Sequence, residues 1–357
     1  MHSLRDQVPL GPLTTLRVRG RADLFADVTA ANQVRELVAY SKAHNLPVLV
    51  VGGGSNLVVA DTGWRGLVLR INIKGITQYS EDRRVIYEAG AGEDWDGFVA
   101  QTVAANYGGL ECMSGIPGTV GGTPVQNVGA YGQEVSDSIV RVTVFDRQSE
   151  QIRDLTREEC GFGYRTSIFN TTQRDRYIVL RVAYALEHGA APKIEYADLK
   201  RHFAGKEGTP SLLEVRDTVR QIRLSKGMLL VEGDPDARSA GSFFKNPIVE
   251  LQRFLQLDAD MQARGLQMPN YPAGDGHRKL SAAWLVEKAG FHKGYVHGNV
   301  GISSKHTLAI VNRGGAKASE VASFMNVIRE TVAVRFSITL DTEPVFVGFE
   351  KSVTPRH

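Results

Sequence analysis

Hydrophobic and polar positions along the first half of the chain form patterns that predict mixed helices and strands. Apolar residues recur at helix spacing within 30–45 and again within 95–106. Short apolar runs bounded by glycine, proline or polar turns predict strands at 47–51, 67–71, 85–89, 139–145 and 177–184. Because helices and strands follow no regular β–α–β order, this region is typical of an α+β fold.

A polar segment rich in alanine, glycine and lysine, 187–210, is interpreted as a linker or mobile loop. Helical spacing resumes beyond it at 213–225, 280–289 and 316–335. Apolar runs at 308–312 and 342–347 predict strands. The second half is therefore predicted to form another α+β unit.

The composition is that of an ordinary globular protein. The chain has 357 residues, 42% hydrophobic and 23% charged, which allows two or three domains. A net charge of +3, spread along the chain, gives no reason to expect a nucleic-acid partner but suits a small anionic ligand. The two cysteines form no CxxC pair, and the histidines have no metal-ligand spacing, so we expect neither a disulfide nor a metal site.

Targeting signals are not evident in the sequence. The N-terminus lacks an apolar signal core, and no apolar run is long enough to span a bilayer. We therefore expect a cytoplasmic protein that does not insert into membranes, and we expect it to be a monomer.

The most unusual segment is Gly108–Gly132, which contains eight glycines and one charged residue, Glu111. It is too apolar for a linker and too rich in glycine for the interior of a helix or strand. Glycine lets main-chain N–H groups approach an anion closely, so this segment and Gly52–Asn56 predict a cradle for a large ligand. Neither segment matches the Rossmann fingerprint or a Walker A loop. The alternative is a set of tight turns in a glycine-rich fold.

Three polar residues are candidates for chemistry, each with a simpler explanation. Ser242 forms a Ser-x-x-Lys sequence with Lys245, but the other motifs of serine acyl enzymes are absent, and a helix cap or turn would also explain the serine. Arg165 could bind a carboxylate in bidentate fashion or form a surface salt bridge. Glu343 lies in an apolar run, where a carboxylate is either paired structurally or functional.

Five motifs, in this order, resemble the UDP-N-acetylenolpyruvoylglucosamine reductase family of bacterial flavoenzymes: VGGGSNLVVAD, SGIPGTVGG, PVQNVGAYG, YRTSIFN and AGSFFKNP. The resemblance extends over nearly the whole chain, from Thr14 to Pro344. The YRTSIFN and IEYADLK sequences resemble the subclass in which a mobile tyrosine loop closes over the substrate.

The resemblance implies an α+β protein in which a two-lobed region of the vanillyl-alcohol-oxidase (PCMH) type holds FAD non-covalently. A C-terminal α+β domain would bind a UDP-sugar. The implied boundaries are 1–72 for the first lobe, 73–210 for the second lobe and 211–335 for the substrate domain. The C-terminal strand within 336–357 would dock back on the first lobe.

The resemblance also implies the residues of the site. Ser242 corresponds to the family's proton donor, Arg165 to its catalytic arginine and Glu343 to its catalytic glutamate. FAD contacts are implied for Gly52, Gly53, Gly54, Ser55, Asn56, Ser114, Gly115, Ile116, Pro117, Gly118, Thr119, Gly121, Gly122, Gln126, Asn127, Gly129 and Ala130. Substrate contacts are implied for Tyr164, Tyr196, Lys226, Asn246, Tyr271 and Lys288.

The implied reaction is an NADP-linked reduction of a carbon–carbon double bond. NADPH would reduce FAD and leave, and the enolpyruvyl ether of UDP-N-acetylglucosamine would then be reduced to UDP-N-acetylmuramate for peptidoglycan synthesis. Ser242 would supply the proton to C2 of the enolpyruvyl group, with Lys245 or water restoring it. Arg165 and Glu343 would hold or orient the substrate carboxylate.

Other functions are also consistent with these residues. They are another FAD-dependent oxidoreductase of the same cofactor fold, a serine acyl enzyme that uses Ser242 and Lys245, and a nucleotide-binding module without catalysis. The first would share the flavin but not the substrate, whereas a colourless protein labelled at Ser242 by an acylating probe would indicate the second.

Overall fold

The computed structural model describes residues 4–81, 84–274 and 276–350, which form two compact units. The first unit comprises the described residues of Met1–Val8, Ala22–Gly54 and Trp64–Leu230. The second comprises those of Pro9–Arg21, Ser55–Gly63 and Val231–His357. The finer division into three domains stays a prediction.

Helices and strands alternate irregularly along the described residues. The α-helices there are α1 (Ala31–Ala43), α2 (Trp95–Ala104), α3 (Ala197–Phe203), α4 (Leu212–Ser225), α5 (Leu251–Ala263), α6 (Ala282–Lys288) and α7 (Ala318–Phe336). The strands up to residue 188 are β1 (Arg5–Pro9), β2 (Arg21–Val28), β3 (Val48–Val51), β4 (Leu57–Val59), β5 (Trp64–Ile71), β6 (Ile76–Glu81), β7 (Arg84–Gly90), β8 (Tyr107–Gly108), β9 (Gly129–Ala130), β10 (Gln133–Glu134), β11 (Ile139–Asp146), β12 (Gln151–Thr156) and β13 (Tyr177–His188). The later strands are β14 (Ser239–Ser242), β15 (Ile248–Glu250), β16 (Asn270–Pro272), β17 (His277–Leu280), β18 (Val296–His297), β19 (Val300–Ile302), β20 (Ala309–Asn312) and β21 (Val345–Val347).

The first unit contains two main sheets. One has the strand order β1–β2–β5–β3, in which β5 pairs in parallel with both β2 and β3. The other is antiparallel, with the order β12–β11–β13–β7–β6. Trp95 and Phe98 of α2 are fully buried against Tyr184 of β13. The glycine-rich segment therefore begins shortly after a helix that the core holds in place.

The second unit contains an antiparallel sheet with the order β14–β20–β19–β18 and a smaller one with the order β15–β17–β16. The C-terminal strand β21 pairs in parallel with β4. Helix α7 buries one face in the core of this unit, through Val321, Phe324, Ile328 and Val332. The spacing of these residues is the one from which the helix is predicted.

Two helices differ from the sequence-based predictions, and several strands, among them β1, β2, β6 and β12, were not predicted. The segment interpreted as a linker contains the end of β13 and helix α3, because buried Leu199 gives this short helix a packed face. Helix α5 was not predicted, although Phe254, Leu257 and Met261 are buried at helix spacing. Exposed Leu255 lies outside this stripe and blurs the helical pattern in the sequence, so the helix is easily overlooked.

A carboxylate in the first turn of α2 fixes the glycine-rich segment to helix α4. Asp96 accepts hydrogen bonds from the main-chain N–H of Gly115 (2.7 Å) and from Arg216 (2.6 Å), and it also pairs with Arg220. Burial alone would raise the pKa of Asp96, but the hydrogen bonds from Arg216 and Gly115 hold this pKa below its usual value. The ionised carboxylate therefore stabilises the fold at this point.

We expect Asp96→Asn to lower the free energy of unfolding by about 2 kcal/mol at pH 7. The reason is that Arg216 and Arg220 lose the negative charge with which they pair. Since the pKa of Asp96 is lower in the folded state, its contribution is complete above the unfolded pKa of about 4 and is lost as the pH falls through the folded pKa. Urea unfolding measured from pH 7 to pH 3 checks this: the difference in free energy of unfolding between variant and wild type should shrink as the pH falls.

Asp94→Asn is the matched control on the same helix. Asp94 caps α2 by accepting a hydrogen bond from the main-chain N–H of Gly97 (2.8 Å), and asparagine fills this role equally well. Equal losses of stability in the two variants would contradict the special role of Asp96.

Candidate functional site

The two glycine segments meet in the first unit. A Cβ atom added at Gly53 would lie 2.6 Å from Cα of Gly118, and one added at Gly52 would lie 2.5 Å from Oγ1 of Thr119. The contact at Gly53 is with main chain, which cannot move aside as a side chain can. Glycine is therefore required for the two segments to approach this closely.

Two polar atoms near this approach are buried and have no hydrogen-bond partner among the described residues: Oγ1 of Thr119 and Nε of Arg223. The side chain of Arg223 lies beside Gly115, and both its Cδ and its Nε would be 3.4 Å from a Cβ added there. Burial lowers the pKa of Arg223, so its charge is poorly compensated. A buried cation beside glycine main chain fits the anionic FAD predicted from the sequence.

The other predicted cofactor residues include exposed main chain and buried supports. Gly122 is exposed, and a Cβ added there would meet nothing within 4 Å. Ser114 is fully buried and its hydroxyl donates to a main-chain carbonyl (2.6 Å). The buried amide of Asn127 donates to Glu134 (2.8 Å) and to the carbonyl of Gly163 (3.0 Å). The side chains of Ser114 and Asn127 thus shape the loop, and direct FAD contacts stay predictions for the whole set.

Arg165 lies in a turn that packs against the glycine-rich segment. Its Nη2 donates to the carbonyl of Gly129 (2.7 Å). The amide of Asn170 donates to the carbonyl of Arg165 (3.1 Å), and the hydroxyl of Ser167 donates to the carbonyl of Val125 (2.6 Å). The φ of Arg165 is +56°, a left-handed conformation that non-glycine residues adopt only where the surroundings hold them.

Tyr196 and Lys226, both predicted to bind substrate, come together beside Tyr131 in the first unit. The rings of Tyr131 and Tyr196 pack edge to face with centroids 5.3 Å apart. Nζ of Lys226 lies 5.8 and 6.0 Å from these two rings and 2.5 Å from Oδ2 of Asp198. Burial raises the pKa of Tyr131 to about 12, so its hydroxyl stays protonated at neutral pH. Asp198 was not selected from the sequence, although it lies within IEYADLK.

Ser242 and Glu343 belong to main-chain segments that pair with each other in the second unit. The N–H of Glu343 donates to the carbonyl of Phe243 (3.0 Å), and the N–H of Lys245 donates to the carbonyl of Asp341 (2.9 Å). Phe243 is fully buried, so the core fixes this pairing. Ser242 is the last residue of strand β14, which excludes the helix cap considered from the sequence.

The hydroxyl of Ser242 contacts a histidine that the sequence analysis did not select. Its Oγ lies 3.3 Å from Nε2 of His306, which is 64 residues further along the chain. Within the part of the chain that the structure describes, Lys245 forms no hydrogen bond with Ser242. The geometry therefore does not support the Ser242–Lys245 acyl enzyme, and only the fold could reveal His306.

Asn56 ties the C-terminal segment to the segment before β4. Its Nδ2 donates to the carbonyl of Glu343 (3.1 Å), and its own carbonyl accepts from the N–H of Val345 (2.9 Å). These contacts, all within the second unit, fix the main chain that carries the Glu343 side chain. They give Asn56 a structural role beside its predicted contact with FAD.

The remaining predicted substrate residues in the second unit are spread over several elements. Oδ1 of Asn246 accepts the N–H of Ala282 (2.9 Å) at the start of α6, and Lys288 is the last residue of the same helix. Tyr271 lies in β16 with half of its surface exposed. Their contacts with substrate stay predictions.

The described parts of the chain contain neither a cluster of metal-ligating side chains nor a helix suited to spanning a membrane. No group of three or more His, Cys, Asp or Glu side chains there could hold a metal ion. None of the helices in residues 4–81, 84–274 and 276–350 is both long and apolar enough to cross a bilayer.

Comparison with known proteins relates this chain to one family over its whole length. Residues 22–155 match a family profile described as an FAD binding domain. Residues 234–347 match one described as the C-terminal domain of UDP-N-acetylenolpyruvoylglucosamine reductase. A protein of that name from Thermobifida fusca is 46% identical over 352 residues, which covers 97% of this chain and 98% of the relative. Another from Nocardia farcinica is 45% identical over 352 residues, covering 97% and 90%.

A solved structure supports the same conclusion. The crystal structure of UDP-N-acetylenolpyruvylglucosamine reductase (MurB) from Thermus caldophilus has a TM-score of 0.66 at 26% identity, covering 97% of this chain and 99% of that one. These matches confirm the predicted fold class, an α+β protein with an FAD-binding region and a C-terminal α+β domain. Given more than 40% identity to such relatives over almost its full length, the protein belongs to the UDP-N-acetylenolpyruvoylglucosamine reductase family.

Proposed function

We propose that this protein reduces the enolpyruvyl ether of UDP-N-acetylglucosamine to UDP-N-acetylmuramate, with non-covalently bound FAD as cofactor and NADPH as reductant. The observation that carries the proposal is the full-length identity of 46% to a relative with this name. The reaction belongs to the synthesis of peptidoglycan precursors. We further propose that the protein acts in the cytoplasm as a monomer and without a nucleic-acid partner.

The first unit supplies groups suited to holding FAD. When bound, FAD carries hydride from NADPH to the enolpyruvyl group, and the protein contributes binding and position. The glycines at 52, 53 and 118 expose main chain on which a pyrophosphate could lie. Thr119 and Arg223 each contribute a buried polar atom that has no hydrogen-bond partner among the described residues. A bound ligand could supply that partner.

Arg165 is suited to binding the substrate carboxylate. Its guanidinium group is oriented by the carbonyls of Gly129 and Asn127 and lies 5.4 Å from the ring of Tyr164. A planar guanidinium group can hold both oxygens of a carboxylate, and its charge stabilises negative charge as that charge builds in the transition state. We therefore assign carboxylate binding to Arg165, with Glu343 as the residue that helps to orient or polarise the enolpyruvyl group.

Ser242 is the proposed proton donor to C2. A serine hydroxyl is a weak acid, but the carbanion formed by hydride addition at C3 is a much stronger base. Tyr196 is assigned as the tyrosine of the mobile loop that closes over the substrate. Lys226, Asn246 and Tyr271 are assigned to the UDP diphosphate, since an ammonium, an amide and a phenol can all donate hydrogen bonds to phosphate oxygens. Lys288 is assigned to another part of the substrate.

The spectrum of the flavin tests the proposed reaction. We expect purified protein to be yellow, to bleach when NADPH is added without oxygen, and to recover its colour when UDP-N-acetylglucosamine enolpyruvate follows. UDP-N-acetylglucosamine, which lacks the double bond, should not restore the colour. Bleaching without recovery by the enolpyruvyl substrate would indicate another flavin oxidoreductase.

Two glycine variants test the cradle. We expect Gly53→Ala to weaken FAD binding at least 100-fold, because the new Cβ would collide with the main chain of Gly118 at 2.6 Å; a loss of that size corresponds to about 2.7 kcal/mol. Gly122→Ala is the matched control for folding, since its Cβ meets nothing within 4 Å. Titration of apoprotein with FAD, followed by flavin fluorescence, measures the affinity. An unchanged affinity in Gly53→Ala would contradict the cradle.

A conservative change at Arg165 tests carboxylate binding. We expect Arg165→Lys to slow flavin reoxidation by the substrate about 100-fold, because lysine cannot provide the planar fork. Reduction by NADPH should change less than about threefold, since it requires no carboxylate contact. Exposed Arg157 in the same unit provides the control Arg157→Lys, which should leave both steps unchanged. Equal slowing of both steps by Arg165→Lys would point to a role in folding instead. Stopped-flow absorbance separates the two steps.

A further inference from the structure

The contact between Ser242 and His306 is fixed by sheet pairing in the second unit. Strands β14 and β20 pair antiparallel, with Ser242 opposite Ala309. The N–H of Phe243 donates to the carbonyl of Leu308 (2.9 Å), next to this pair. The imidazole of His306 therefore approaches the hydroxyl of Ser242 from a segment joined to the same sheet. A contact between two exposed, flexible side chains would lack this support.

The loop that carries His306 is held by polar contacts to side chains that are themselves partly or fully buried. The N–H of His306 donates to the hydroxyl of Ser303 (3.2 Å). The N–H and the hydroxyl of Ser304 both donate to the carboxylate of Asp236 (2.9 and 2.6 Å), and Nζ of Lys305 donates to Asp234 (2.7 Å). Ser303 is completely buried, and Asp236 is 6% exposed. The position of the histidine is thus determined by the fold before any substrate binds.

The direction of this hydrogen bond decides what Ser242 can do. A hydroxyl has one proton. If Nε2 of His306 accepted that proton, the hydroxyl would point to the histidine and could not donate to substrate. If Nε2–H donates to Oγ, the hydroxyl proton is directed elsewhere, and the same N–H stabilises the negative charge that develops on oxygen when the proton leaves.

We propose that His306 is the positioning residue for Ser242, donating from Nε2–H to Oγ so that the hydroxyl proton is presented to the substrate. This inference rests on the proposed function, which makes Ser242 the proton donor. As hydride adds to C3, the electron pair at C2 takes the proton of Ser242. The O–H bond breaks, the C–H bond forms, and the O–H electron pair stays on Oγ as an alkoxide that accepts the hydrogen bond from His306. Solvent water then returns a proton to Oγ.

The proposal also narrows an expectation from the sequence. From the sequence, either Lys245 or water was expected to restore the proton of Ser242. In the described residues the side chain of Lys245 forms no hydrogen bond with Ser242, whereas His306 lies at 3.3 Å from Oγ. Water therefore keeps the role of restoring the proton, and His306 has the separate role of orienting the hydroxyl.

Two substitutions of His306 test the proposal in the FAD-loaded protein. The amide of His306→Gln can still donate to Oγ, whereas the side chain of His306→Leu cannot. We expect His306→Leu to slow flavin reoxidation by UDP-N-acetylglucosamine enolpyruvate about 10- to 100-fold, the usual effect of losing a hydrogen bond to a charged group. His306→Gln should recover the rate to within about fivefold of wild type, and reduction by NADPH should be unaffected in both. Equal rates in both variants, whether both normal or both slow, would overturn the proposal.

The solvent isotope effect provides a readout that misfolding would not produce. When proton donation is impaired, breaking the O–H bond limits the rate more strongly. We therefore expect D₂O to slow flavin reoxidation by a larger factor in His306→Leu than in wild type. His292→Leu, at an exposed histidine of the same unit, should show neither change. A slow His306→Leu with an unchanged isotope effect would also overturn the proposal.

Ser242→Ala separates this inference from the proposed function. If Ser242→Ala slows reoxidation and His306→Leu does not, the serine is the proton donor and the inference about His306 is wrong. If wild type is not reoxidised by the enolpyruvyl substrate at all, the proposed function is wrong. Circular dichroism and the FAD content of each variant establish that the rates compare folded, loaded protein.

Discussion

The close approach of two main chains at Gly53 and Gly118 is the constraint on which the first unit's ligand cradle depends. Any side chain at residue 53 would collide with that main chain, so the absence of a Cβ is itself the structural feature. Asp96 holds the same glycine-rich segment from another side, through the N–H of Gly115. The segment contains only short elements, and these two contacts add to main-chain hydrogen bonds such as those from Val120 to Glu93 and from Gly121 to Ala91.

The second unit positions its polar residues in a different way. Buried Phe243 and the main-chain pairing of two extended segments fix the backbone positions of Ser242 and Glu343. The loop before β20 carries His306, whose ring contacts Ser242. Main-chain pairing thus brings the segments of Ser242 and Glu343 together, and a side-chain contact adds His306 to Ser242. A hydroxyl that must donate a proton needs a fixed direction, and main-chain pairing provides it more rigidly than a surface loop would.

How much the sequence could predict depended on whether the signal was local. The stripes of α1, α2 and α7 are local patterns, and these three helices were predicted correctly. The glycine-rich segments are local patterns too, but only the structure shows that they approach each other. The stripe of α5 was missed, and α3 was hidden in a polar segment with one buried leucine. Asp96, Arg223 and His306 could not have been selected, because each gains its significance from a residue more than 60 positions away. A motif also cannot separate residues that touch a ligand from those, such as Asn127, whose buried side chains shape the loop.

Arg165, the residue proposed to bind the substrate carboxylate, is held by the glycine-rich segment that is predicted to contact FAD. Its guanidinium group is oriented by the carbonyl of Gly129, which lies in the stretch predicted to contact FAD, and Ser167 anchors the turn to Val125 in the same stretch. The left-handed conformation at Arg165 costs energy, and the contacts of its turn make up for that cost. Because these hydrogen bonds join the two segments, we expect a change that moves the glycine-rich segment to move the arginine as well. This explains why the PVQNVGAYG and YRTSIFN sequences form one structural element although more than 30 residues separate them.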